Sequence, residues 1–582
     1  MRRISRGLIC GVGALALVAG ASACTDDSEG GASGSGSSGS GRVSGPESRL
    51  TVLSTGPVQA WDPQRITQRQ VAGFASRTWM RTLTAYQPEV NLAAQRKLRG
   101  DLATTPGVAS NGGRTWTFTL REGIRWQDGS AITCEDVRYG VARSFDPRVP
   151  SSGYALTYLD IPKKKDGTSA YPGPLAKGGT SKASRALLED AVECTDKETV
   201  VFHLDQPVGN FDEVVSLPEF APYKQSREGD DAAYEAFSSG PYKLSDAWTP
   251  SKGGTWVRNA EWDEDSDPLR SAGPRSILHR EGVEPKDALE TIVSGEDGAR
   301  TLTLDPMPTV LGPVLDEAGD TAQSVEVDGQ LVDYLAVNTR SAPMKSTAVR
   351  RALATATDRQ AYNEARGAGA GTPTWSLLGA GLPSAHPSVS DHGPSGDTAK
   401  ARRQLEAAKV DEPVKITVAY RGGGTMDAAM QALEKGWEEA GFEVTLTALG
   451  DDYFTRVEQR SVAAKYDVVW ANWGPDYPAA VTVLPALFDD RVNLSGDSVG
   501  RDYGMFADDD VNEAMDSAAR VRDRESRAKR WAAIDTGLLE DAVYVPLRQS
   551  RLTYVAGSEV SSLVGNPVYG GVPEMGVIGV SR

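Results

Sequence analysis

Trp473, Asp476 and Tyr477 close the run Tyr466-Asp467-Val468-Val469-Trp470-Ala471-Asn472-Trp473-Gly474-Pro475-Asp476-Tyr477-Pro478. A carboxylate flanked by aromatic rings suits the capture of a ligand ammonium group, with the anion as partner and a ring as apolar wall. The elements that must hold these side chains are legible around them. Val468 to Trp470 is β-branched and aromatic, which reads as a buried strand. Gly474, Pro475 and Pro478 stop that strand, because proline has no backbone donor and fixes its own torsion. The three side chains thus arrive on a stiff loop at a strand's carboxyl end, where open α/β sheets bind ligands. A plainer role fits the same residues: a turn in which Asp476 caps a helix and both rings pack in the core.

Groups for bond-breaking chemistry are scarce elsewhere. None of the four histidines (His203, His279, His386, His392) has metal-ligand spacing such as His-Glu-x-x-His. No Gly-x-Ser-x-Gly elbow sits between a strand and a helix. Arg421-Gly422-Gly423-Gly424 lacks the spaced glycines and the Lys-Ser/Thr ending of a phosphate loop, so it reads as a turn. Asp451-Asp452 and Asp508-Asp509-Asp510 read as helix caps or solvent faces. The expectation is a binding protein with no catalytic residue, no metal and no cofactor; the rival from another class is a secreted peptidase.

With 582 residues at 39% hydrophobic composition, the chain can build a large core in several lobes. Its net charge of −17 offers no basic field to nucleic acid or an anionic membrane surface. At the amino end, Arg2, Arg3 and Arg6 precede an apolar run from Leu8 to Ala19 and the small residues Ala21-Ser22-Ala23 before Cys24. That is a secretory signal over residues 1–23, and ending on Cys24 it resembles a bacterial lipobox, with a plain signal cleavage near Ala23 as the alternative. Losing the three arginines takes the net charge from −17 to −20. Residues 24–45 form a tether: Thr25 to Gly45 holds seven glycines and seven serines, a flexible coil with a reach of roughly 25 Å. A lipid on Cys24 would anchor an acidic body to the membrane without inserting it. Cys10 leaves with the signal, so Cys134 and Cys194 remain as an even pair in an oxidising compartment and read as a disulfide, two separate buried thiols being the alternative.

Along the body, Leu50 to Leu53 reads as a first strand and Val71 to Leu83 as a helix. Val414–Tyr420, Asp427–Ala440 and Phe442–Leu449 read as strand, helix and strand, a βαβ unit with parallel strands. Helices are expected at Thr347–Ala365 and Asp397–Lys409, and Val511–Leu539 reads as two helices broken near Arg522–Ser526. In Arg114–Val137, Trp116, Phe118 and Leu120 alternate with polar residues as a half-buried strand. Ile124 to Trp126 begins another strand, Asp128-Gly129 turns the chain, and Thr133 with Glu135-Asp136 starts a helix.

That block resembles the signature of family 5 extracellular solute-binding proteins of ABC importers, the oligopeptide- and dipeptide-binding group. The likeness continues through Ser239-Gly240-Pro241-Tyr242-Lys243-Leu244, Arg258-Asn259-Ala260-Glu261-Trp262, Asn338-Thr339-Arg340, Val349-Arg350-Arg351-Ala352-Leu353 with Asp358-Arg359, and Val545-Pro546-Leu547. The resemblance implies an α/β, two-lobe periplasmic-binding-protein-like (type II) fold with an extra subdomain on the first lobe. Lobe I would take residues 46–90, 238–306 and 546–582, the extra subdomain 91–237, and lobe II 307–545. It implies a monomeric, lipid-anchored receptor on the extracellular face of the cell membrane that hands its solute to a permease pair with cytosolic ATPases. In peptide-binding relatives a Trp-x-x-Asp-Tyr sequence after a strand supplies the aspartate for the peptide's α-amino group. Trp473, Asp476 and Tyr477 match it, and Asn472 and Gly474 would offer backbone groups to an extended ligand. Peptide is therefore the expected ligand, with a metal complex or glycoside as the alternative within the family.

Overall fold

Alternating and continuous apolar runs fold into one long sheet that two lobes share. The computed structural model describes residues 48–581 apart from 177–179, 230–231, 295–297 and 387–392. The signal segment, Cys24, the tether and His392 lie outside the described residues.

Strand β1 (Arg49–Leu53) opens the first lobe, followed by helix α1 (Arg69–Thr78). The insert contributes β2 (Val108–Ser110), β3 (Thr115–Thr119), α2 (Cys134–Arg143), the short α3 (Tyr154–Tyr158), β4 (Val192–Cys194), β5 (Thr199–His203) and the single turn α4 (Phe211–Val214). The first lobe resumes with β6 (Tyr242–Leu244), β7 (Gly253–Arg258), β8 (Ser276–Arg280) and β9 (Thr301–Thr303). A long β10 (Ala322–Val337) leads into the second lobe: α5 (Thr347–Ala356), α6 (Arg359–Arg366), β11 (Val414–Arg421), α7 (Thr425–Glu439), β12 (Phe442–Leu449), β13 (Val468–Trp473), α8 (Asp509–Ala519) and α9 (Arg524–Glu540). Strand β14 (Tyr544–Gly557) returns to the first lobe.

The main sheet runs β12-β11-β13-β10-β14-β9-β1-β8-β7-β6. At the first-lobe edge β7 and β6 extend the sheet antiparallel, and parallel pairs flank the centre on both sides, β11 with β12 and β13, and β1 with β8 and β9. Between them β10 and β14 run antiparallel and belong to both lobes. Ala322–Asp328 pairs with Arg551–Gly557, Val332–Ala336 with Tyr544–Gln549, and the register shifts between Asp328 and Val332. Such a bulge bends and twists the ribbon where one lobe gives way to the other. Each part has its own core: Trp61, Phe74, Trp79 and Trp256 in the first lobe, Trp116, Phe118, Phe202 and Phe211 in the insert, and Leu335, Val418, Leu433, Trp437 and Trp470 in the second.

The βαβ unit forms as expected, and the break between α8 and α9 is capped by Asp523, whose side chain accepts the Ser526 N–H at 2.8 Å. Trp116 and Phe118 point inward along β3, and Asp136 accepts the Thr133 N–H at 2.8 Å to start α2. Cys134 and Cys194 are joined, their Cα atoms 5.7 Å apart, tying α2 to β4. Two expectations are corrected. Thr347–Ala365 is two helices, because Thr357 is extended and Asp358 caps a new start by accepting the Ala361 N–H at 2.8 Å. Ile124–Trp126 is not a strand; a single bridge joins Arg125 to Ala131, and the tight turn at Asp128-Gly129 leaves too few residues to extend a ladder.

Candidate functional site

Strand β13 crosses the second-lobe core with Val468, Val469, Trp470 and Ala471 buried. It pairs with β10 along its length, from Val337↔Val468 to Val332↔Trp473, but with β11 only at Val468 and Val469. Asn472 stands half-buried opposite Asp333 of β10. The chain leaves the sheet at Gly474, which is buried, and a Cβ there would sit 2.9 Å from the Gln330 carbonyl oxygen. Thr482 then folds the loop back: its carbonyl accepts Trp473 Nε1 at 2.9 Å and its hydroxyl accepts the Asp476 N–H at 3.3 Å. Two prolines and these two bonds stiffen the loop, so the Asp476 carboxylate is held in place before any ligand arrives.

That carboxylate is exposed and accepts a hydrogen bond at 2.6 Å from the Tyr154 hydroxyl of α3, a residue 322 positions earlier in the chain. Burial and the neighbouring Asp476 charge push the Tyr154 hydroxyl far above its ordinary range, so it remains a donor. Arg69, the first residue of α1, approaches from the first lobe. Burial lowers its pKa and the Asp476 carboxylate opposes that shift. Asp476, at the end of a second-lobe strand, therefore bonds to a group of the insert and acts electrostatically on Arg69 of α1.

The two rings divide between the roles read from the sequence. Tyr477 is 3% exposed and packs in the insert core, its hydroxyl accepting Asn210 Nδ2 at 3.1 Å and its ring edge-on to Tyr154 at 5.6 Å. In this structure it faces protein rather than open space. Trp473 is half-buried, with the Arg501 guanidinium 4.9 Å from its ring centroid. Asp476 is not a helix cap, since its carboxylate is taken by Tyr154.

A Ser-His-Asp grouping occurs elsewhere in the second lobe, but it lacks the order of a hydrolytic triad. Ser376 Oγ donates to Asp535 Oδ2 at 2.6 Å, His386 Nε2 meets the same oxygen at 2.8 Å, and Tyr544 Oη donates to Asp535 Oδ1 at 2.6 Å. The serine is bonded to the acid rather than to the base, so this grouping has no activated nucleophile. Among the described residues no cluster of three His, Cys, Asp or Glu side chains could hold a metal ion.

The family model described as "Bacterial extracellular solute-binding proteins, family 5 Middle" matches residues 97–494. The chain belongs to this family. Family 5 relatives include the oligopeptide-binding protein OppA of Bacillus subtilis, 24% identical over 67% of this chain and 69% of its own length. The probable D,D-dipeptide-binding periplasmic protein DdpA of Escherichia coli is 22% identical over 88% of this chain and 91% of its own. Among solved structures, clavulanic acid biosynthesis oligopeptide binding protein 2 superposes with a TM-score of 0.78 at 24% identity, covering 93% of this chain and 97% of that one. These likenesses establish the two-lobe type II fold of family 5 binding proteins. Tyr154, Arg69 and Asn210 enter the site only through the tertiary structure. They lie at or beside the starts of short helices, and no local motif in the sequence singles them out.

Proposed function

We propose that this chain is the solute-capturing component of an ABC importer, taking a peptide by its free ammonium group and delivering it to a permease pair with cytosolic ATPases. One observation carries the reading: an exposed Asp476 carboxylate on a stiff loop, met across the lobes by the Tyr154 hydroxyl. Asp476 would pair with the ligand cation and Tyr154 would orient that carboxylate. Trp473 would wall the site, Asn472 and Gly474 would offer backbone groups, and Tyr477 would fix the loop in the insert. Relatives named for oligopeptides, dipeptides and D,D-dipeptides support peptide over a metal complex or glycoside. Ligand binding would bias a hinge through β10 and β14, the strands that both lobes share.

Calorimetry on a free-amine peptide and its N-acetylated form tests the reading. Asp476→Ala should weaken the free-amine peptide by about thirty-fold or more and leave the acetylated one nearly unchanged. Equal losses for both would reduce Asp476 to a loop-shaping residue. The same reading places the protein on the extracellular face of the membrane as a monomer, held by a lipid on Cys24. A Cys24→Ala variant should then leave the membrane fraction; wild-type protein recovered wholly from the medium would refute the anchor.

A further inference from the structure

Arg69 is a cation that this ammonium-binding role does not use. Five buried arginines elsewhere have a carboxylate within 2.9 Å: Arg77 with Glu574, Arg81 and Arg270 with Asp101, Arg143 with Asp62, and Arg527 with Glu213. Arg350 and Arg359 instead spread their donors over two or more backbone carbonyls each. Among the described residues, no carboxylate lies within ion-pair distance of Arg69. Its Nη1 donates instead to the neutral amide oxygen of Gln330, whose own NH2 is committed to the carbonyls of Pro567 and Val568 at 2.7 and 3.2 Å. The side chain is nevertheless built in. Gly570, at φ +86°, makes room for it, since a Cβ there would lie 3.1 Å from Arg69 Cδ. The Gln330 carbonyl in turn lies against Gly474, two residues before Asp476. Gln330 is thus the geometric link, bonding Arg69 and lying against the loop that carries Asp476, and the Asp476 charge opposes the lowering of the Arg69 pKa by burial. Arg69 also opens a ten-residue helix that has no acid in its first turn, the end where an anion is the stable neighbour.

We propose that Arg69 sets ligand specificity: the site takes a solute that carries a carboxylate a few bonds from the ammonium group bound by Asp476. A half-desolvated guanidinium with one neutral partner gains most from a carboxylate, which it can bind through two parallel N–H bonds. That carboxylate comes either from the C-terminus of a very short peptide or from an acidic side chain on the first residue. The inference rests on the Asp476 reading, and the experiment separates the two.

Four probes are titrated by calorimetry into wild type and Arg69→Gln: Ala-Ala, Ala-Ala-amide, Glu-Ala-amide and N-acetyl-Ala-Ala. Wild type should bind Ala-Ala or Glu-Ala-amide about ten-fold or more tighter than Ala-Ala-amide. Which of the two gains identifies the source of the carboxylate. Arg69→Gln should erase that preference while still discriminating against the acetylated probe, and Arg69→Lys should keep part of it. Equal wild-type affinity for acid and amide, a preference that survives Arg69→Gln, or no binding of any probe would overturn the proposal. A loss in Arg69→Gln that is the same for all probes would overturn it too, leaving Arg69 as a packing residue. If acetylation alone has no effect on wild type, the Asp476 reading fails, whatever the acid and amide probes do.

Discussion

Two groups of opposite charges in this protein use the same residue types and are built for opposite purposes. At the junction of the first lobe and the insert, Arg81, Asp101, Asp267 and Arg270 are each at most 3% exposed. Arg270 binds Asp101 through two bonds of 2.8 and 2.7 Å, and Arg81 Nε reaches the same carboxylate at 2.8 Å. The carbonyls of Ser76, Asp101 and Ser266 take further guanidinium donors, and Asp267 accepts Trp262 Nε1 and the Leu269 N–H. Burial alone would raise the Asp267 pKa, but Arg270 and Arg81 outweigh it and hold the group below the usual carboxylate range. In the cleft, Asp476 has one tyrosine hydroxyl and Arg69 one amide oxygen. A saturated cluster can only hold the fold. An unsaturated pair keeps capacity for a third party, which is what the proposed site requires.

The largest expected effect breaks the saturated side. Asp101→Ala leaves two buried guanidiniums with Asp267 as their one shared carboxylate and should cost about 3–5 kcal/mol of unfolding free energy by urea titration. A cost under about 1 kcal/mol would mean that the junction tolerates vacancies as the cleft does, and the contrast would collapse.

Asp502 sharpens the comparison, being buried like the junction yet unsaturated like the cleft. It is 2% exposed, its Oδ2 has no partner among the described residues, and burial pushes its pKa up to about 8 despite the Phe506 and Gly504 N–H groups and Arg340. A folded pKa above the unfolded value of about 4 gives stability that is full below pH 4 and lost as pH rises through about 8. Thermodynamic stability should therefore fall between pH 5 and pH 8 by on the order of 4 kcal/mol. Asp502→Asn, neutral throughout, should flatten that slope; an unchanged slope would show that the carboxyl finds a partner in solution.

The smallest effect is the most telling. Asp476→Ala and Arg69→Gln should each change unfolding free energy by about 0.5 kcal/mol or less, since neither charge completes a buried network. A large loss of stability in either would move it to the structural class.

The legible parts were local ones. Side chains repeat every two residues in a strand and every 3.6 in a helix, so β3, the β11–α7–β12 unit and the α8–α9 break could be read from spacing. Glycine and proline mark their own torsions, which put the end of β13 and its loop where they are found. Cysteine count within an oxidising compartment paired Cys134 with Cys194, and the structure joins them. Short-range choices resisted this reading where one side chain decides, as when Asp358 caps a new helix inside a continuous helical pattern.

Tertiary structure alone decided what Asp476 faces. Tyr154 is 322 residues away and Arg69 still farther, in another lobe, and their meeting depends on how β10 and β14 carry the chain between lobes. The division of the two rings, Tyr477 into the insert core and Trp473 beneath Arg501, was settled in the same way. Sequence periodicity records which face of an element is buried, because that is a property of neighbours along the chain. It holds no record of which buried or half-buried charge lacks a partner, because partners are supplied by chain closure across hundreds of residues.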